Sequence, residues 1–138
     1  MASGIYNKLK ANLANKIVDI EVDTLKIALL DSNHSFDADN NTWADVSANE
    51  VVGTGYTAGG ATLANASVTQ DNTNDLAKID ADDVVWSGST VTAAFAVIYD
   101  DTLANKDLIC CIDFGGDVSS TNGDFTIEFN ASGIMTIT

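Results

Sequence analysis

The sequence predicts a mainly β fold, an antiparallel β-sandwich or barrel with one N-terminal amphipathic α-helix. Three observations carry it. Residues 90–101, TVTAAFAVIYDD, hold no charge on either alternating face before Asp100, the mark of a central strand covered on both sides. In that reading Val91, Ala93, Phe95, Val97 and Tyr99 share a bulky face. Thr92, Ala94, Ala96 and Ile98 share the other, built largely of small side chains that let a neighbouring layer or subunit come close. Second, short apolar runs separated by Asp, Asn, Gly and Ser clusters recur after residue 22, which suits antiparallel strands better than a parallel α/β sheet. Third, Phe125, Ile127 and Phe129 alternate with Thr126, Glu128 and Asn130, so that strand has one dry and one wet face.

The elements follow in order. A helix is predicted over residues 1–18: Ser3 can cap it, and Ile5, Leu9, Leu13 and Ile17 recur every four residues, with Lys8, Lys10, Asn12 and Asn15 off that stripe. It carries three of the six lysines (Lys8, Lys10, Lys16) and no acid. Its stripe either packs on the chain's own sheet or serves as an arm that docks on an acidic or apolar partner. From Val22 the period changes to two; in DTLKIALLD, Leu25, Ile27 and Leu29 face one way and Lys26, Ala28 and Leu30 the other. Residues 31–50 read as a long polar surface loop pinned by Phe36, Trp43 and Val46. Gly53, Gly55, Gly59 and Gly60 then interrupt a β-like run before alternation resumes over residues 61–69. Residues 71–75 form a turn. Short strands are predicted at 76–79 and 84–86, a turn at 87–89, the central strand, and three more strands at 108–114, 125–130 and 134–138. The length suits a single domain over 1–138, the sandwich occupying 22–138.

Twenty acidic residues against six lysines and no arginine give a formal net charge of -14. Such a surface repels phosphate, so neither nucleic acid nor an anionic membrane is expected as a partner. No signal-peptide pattern opens the chain and no run of 18 apolar residues occurs, so synthesis in the cytoplasm is the expectation. Cys110 and Cys111 are neighbours in an apolar run and point to opposite faces of a strand, as reduced structural thiols. His34, the one histidine, lies in a polar loop and reads as solvated; no GxSxG accompanies it. Asp37, Asp39 and Asn41 open like a calcium loop, but Thr42 and Ala48 stand where glycine and a bidentate glutamate are needed. GTGYTAGG lacks the lysine and following helix of a phosphate cradle. Asp80, Asp82, Asp83, Asp100, Asp101, Asp113 and Asp117 sit at predicted strand ends, where turn and solubility roles are commonest. No catalytic residue, metal or cofactor is expected, and the chain is expected not to be an enzyme.

Several segments together resemble a family of small structural proteins of tailed bacteriophages and prophages. They are DTLKIALLD at 23–31, DVSANE at 45–50, GTGYTAGG at 53–60, DDVVW at 82–86, AVIYDD at 96–101, IDFG at 112–115 and NGDFT at 122–126. The resemblance spans nearly the whole chain, from the Tyr6-Asn7-Lys8 region to the last strand. It implies a virion component encoded near head and tail genes, with no catalytic motif to carry over.

Among virion roles the charge favours a capsid decoration protein on the outside of the head. Like charge discourages off-lattice aggregation, and a basic helix assists docking. The expected partners are the phage major capsid protein or other virion subunits, together with copies of the chain itself in a homo-oligomer. Candidate contact residues are Ile5, Leu9, Leu13, Lys8, Lys10 and Lys16 on the helix and Ala94 and Ala96 on the central strand. A tail- or fibre-associated subunit is the alternative. A carbohydrate-binding module would use Trp43, Tyr56, Trp86 and Tyr99, of which Trp86 and Tyr99 fall on strand-like core positions. A polysaccharide hydrolase would need a carboxylate pair such as Asp82, Asp83, Asp100 or Asp101 across a cleft.

Overall fold

The computed structural model describes residues 3–138 and contains two antiparallel sheets in a sandwich-like arrangement with a short N-terminal helix. The larger sheet runs in the order β1 (Gly4–Ile5), β7 (Leu108–Ile127), β6 (Val84–Asp100), β2 (Leu25–Leu30), β3 (Ala61–Thr62). The smaller runs β4 (Ser67–Asp71), β5 (Leu76–Asp80), β8 (Met135–Ile137). β6 is central, as its uncharged faces predict, and β2 pairs along its last six residues, from Leu25 opposite Asp100 to Leu30 opposite Phe95.

β6 and β7 form one long hairpin, which the sequence breaks into shorter pieces. The predicted turn at residues 87–89 is instead an irregularity inside β6, where Gly88 takes φ +59° and the register with β7 steps between Trp86 and Ser89. GGDVSSTNGD is likewise strand within β7. Ala93 opposes Val118 while Phe95 opposes Asp113, so residues 114–117 bulge out opposite Ala94, with Gly115 and Gly116 at φ +81° and +148°.

That irregularity reverses the faces of β6. Val91 and Ala93 join Ala96 and Ile98 in one apolar cluster, while Phe95, Val97 and Tyr99 belong to another. The single alternation expected across residues 91–99 therefore fails at Ala94. β2 keeps the expected alternation, with Leu25, Ile27 and Leu29 in the first cluster and Ala28 and Leu30 in the second.

The first cluster lies between the sheets, where Ile79 and Met135 of the smaller meet Leu25, Ile98 and Ile109 of the larger. The second lies on the opposite face of the larger sheet. There Tyr6, Leu30, Val97, Tyr99, Leu108 and Cys111 are covered by residues 31–50, through Phe36, Trp43 and Val46. At roughly 1.5–3 kcal/mol for each large apolar side chain removed from water, these two clusters supply the main driving force of folding. The loop at 31–50 contains α2 (Trp43–Val46), opened by a reciprocal capping box between Thr42 and Asp45.

The N-terminal helix is shorter than the stripe predicts: α1 is Asn7–Ala14. Ser3 is not its cap; its hydroxyl accepts the Asp113 N–H at 2.8 Å, and Gly4 and Ile5 pair with Cys111 and Cys110 as β1. The helix stops in a Schellman arrangement: Lys16 takes φ +59°, its N–H reaches the Leu13 carbonyl, and the Ile17 N–H reaches the Asn12 carbonyl at 2.8 Å. Ile17 is thereby turned out to solvent.

Candidate functional site

The chain leaves an apolar groove of about 590 Å³ between α1 and β8, lined by Ile5, Leu9, Lys10, Leu13, Ala14, Thr136, Ile137 and Thr138. Its helix wall is fixed. Leu9 is 1% exposed, the Asn12 amide donates to Asp107 Oδ2 at 2.7 Å in a buried bond, and Lys8 Nζ lies 3.9 Å from the same carboxylate. Asn7 Nδ2 reaches Asp39 at 2.8 Å. The other wall is the outer strand of the smaller sheet, whose Ile137 is left exposed. Of the helix stripe, Leu9 packs into the cluster between the sheets, Ile5 and Leu13 are partly buried against it, and Ile17 is exposed.

Four of the predicted contact residues, Ile5, Leu9, Lys10 and Leu13, meet in this groove. Lys8 turns to Asp107, and Lys16 is exposed at the helix stop. Ala94 and Ala96 are 4% and 0% exposed, covered by the chain itself. Thr136, Ile137 and Thr138 escaped sequence reasoning because nothing in one short strand says which helix will lie beside it.

The nucleophile candidates are sealed. Cys110 and Cys111 are buried and unpaired in the two different clusters, as their adjacency predicts, and burial pushes both thiols up to about 12. His34 is buried, contrary to the solvated reading. Its ring stands edge-on to Phe95 at 5.0 Å, its Nε2 lies 3.9 Å from Cys111 Sγ, and burial holds it below the ordinary histidine range. Burial thus disfavours the charged form of both partners, the opposite of what a thiolate–imidazolium pair requires.

The carboxylates act mostly as backbone fasteners. Asp37 accepts the Asp39 N–H at 3.0 Å, Asp82 accepts the Asn65 amide at 2.7 Å, and Asp83 accepts the Phe129 N–H at 2.8 Å. Asp71 and Asp45 lie below the ordinary carboxylate range because amide donors from Asn74 and Thr42, respectively, favour their ionised forms. Among the described residues no group of three or more His, Cys, Asp or Glu is placed to hold a metal. Asp100 differs: it is fully buried, its Oδ1 accepts the Thr102 N–H at 3.0 Å, and burial with the neighbouring Asp23 carboxyl pushes it up to about 7.

The aromatic residues are engaged internally. Trp43 stacks on Tyr99 at 4.9 Å, and Trp86 and Tyr99 are core residues as expected. Tyr56 OH donates to Glu50 at 2.8 Å and accepts the Leu29 N–H at 3.0 Å. Comparison with protein-family models, with curated proteins and with solved structures returned no match.

Proposed function

We propose that the chain is a non-enzymatic structural subunit of a tailed-phage particle, a decoration protein seated on the outside of the head through the groove between α1 and β8. The observation that carries this reading is the groove itself: an apolar depression with a rigid helix wall and Lys10 at its rim, on a chain of net charge -14. Apolar side chains of a shell subunit would fill it, while the acidic remainder keeps unbound copies apart. The segments on which the resemblance to the phage family rests include strands of the larger sheet. DTLKIALLD spans β2, AVIYDD spans the β6 end that pairs with it, and IDFG leads into the β7 bulge.

Co-sedimentation of the purified chain with separated heads and tails of the encoding phage tests the reading. Stoichiometric retention on heads is expected, weakened about tenfold or more by Leu13→Asp or Ile137→Asp, a change of roughly 1.4 kcal/mol or more. Retention on tails alone would move the subunit to the tail, and retention on neither would overturn the particle role.

A further inference from the structure

β7 is the longest strand, yet only part of it is flanked on both sides. β6 pairs with it from Leu108 to Asp113 and again from Val118 to Ile127, whereas β1 covers its other side only at Cys110 and Cys111. Residues 118–127 therefore present an outer edge that no strand among the described residues occupies. Exposed edges are ordinarily blunted by proline, lysine, short length or a bulge. This chain has no proline and no lysine or arginine after Lys106; the large bulge at 114–117 precedes the edge, and within the edge the register with β6 steps between Ser120 and Gly123, where Asn122 takes φ +47°.

Beside that edge lies a second groove, of about 260 Å³, whose apolar lining comes from Ile112, Phe114, Val118, Phe125 and Ile127. Val118 is 44% exposed there. Every charge from Ile112 to Glu128 is negative: Asp113, Asp117, Asp124 and Glu128. We propose that the outer edge of β7 at residues 118–127 accepts an extended strand from a partner, whose alternate residues are apolar and whose remaining residues are Lys or Arg. Main-chain hydrogen bonds would supply the pairing, the groove would take the apolar side chains, and the acidic flank would select the cationic ones. A second copy of the chain is the poorer occupant, since each copy brings the same net charge of -14. The site shares no residue with the groove between α1 and β8, and it stands whether or not that groove binds a shell.

The test titrates the ¹⁵N-labelled full chain with a ten-residue peptide alternating Val and Lys, and with its Val/Glu counterpart. Amide shifts confined to residues 118–127 are expected for the lysine peptide. Affinity at least tenfold above the glutamate peptide is expected, weakened by added salt and lost when the peptide backbone is N-methylated at alternate residues. Val118→Lys, at a position exposed enough to leave the fold intact, should also abolish binding. Equal binding of the two peptides, or shifts elsewhere, would overturn the proposal. So would concentration-dependent self-pairing of the chain through the same amides.

Discussion

The two halves of the β6–β7 hairpin are built from the same strands but have opposite characters. In the half next to β2, Val97, Ile98, Tyr99, Leu108, Ile109, Cys110 and Cys111 are all buried, because a core cluster covers each face. In the distal half Trp86, Val91, Phe125 and Ile127 are buried, while Val85, Thr92, Ser119 and Thr126 face solvent. The bulge at 114–117 marks the change. Burial on both faces makes a scaffold, and burial on one face with an open edge makes a surface that can take a partner.

The largest contrast should come from truncation. Ile98→Ala, at a position 1% exposed, is expected to cost about 2–5 kcal/mol in urea unfolding. Val85→Ala, at 48% exposed, should stay within about 0.5 kcal/mol. Similar costs at the two sites would erase the distinction. Glycine replacements sharpen it at the backbone. An added Cβ at Gly60, with φ +83°, would sit 1.9 Å from the Ile27 carbonyl oxygen, so Gly60→Ala should cost at least roughly 1–3 kcal/mol. Gly88 in the distal half meets nothing within 4 Å, and Gly88→Ala should cost only the left-handed conformation, about 1–2 kcal/mol.

Titration probes the scaffold half, where Asp100 and His34 both lie. Asp100 closes the scaffold end, and its pKa is raised on folding, so its contribution is fully present below the ordinary value of 3.8 and lost as pH rises through about 7. His34, held below its ordinary 6.5, acts in the opposite sense, its contribution being present above that value and lost as pH falls. Thermal unfolding across pH 4–8 should therefore lose its downward slope in Asp100→Asn and steepen downward in His34→Gln. Unchanged profiles would show that neither group is held as described. A gain in stability is expected outside both halves: Lys16→Gly relieves the positive φ at the helix stop and should stabilise by about 1 kcal/mol.

What could be read from the sequence was what local pattern controls. The central strand, the alternation of β2, the turn at 71–75 and the division of the two cysteines between faces all follow from period and charge. What could not be read depends on distant partners. Ile5 fits a helical stripe, but pairing with Cys110 takes it into a strand. GGDVSSTNGD has turn composition, yet β6 holds its second part as strand, pairing with Val118, Ser119, Ser120 and Gly123. His34 sits among polar neighbours in sequence and is buried by Phe95 and Cys111, far along the chain. The groove at α1 was half legible, through Ile5, Leu9, Lys10 and Leu13, and its β8 wall was not.

Residue-resolved amide hydrogen exchange along β6 and β7 tests the contrast most directly. Exchange limited by global unfolding is expected for Val97, Ile98, Ile109 and Cys110, whose strands are flanked on both sides and covered on both faces. In residues 118–127, amides that point away from β6 should exchange orders of magnitude faster while their inward neighbours stay protected. Uniform protection along the whole of β7 would contradict an open edge, and with it the division of the hairpin into scaffold and docking surface.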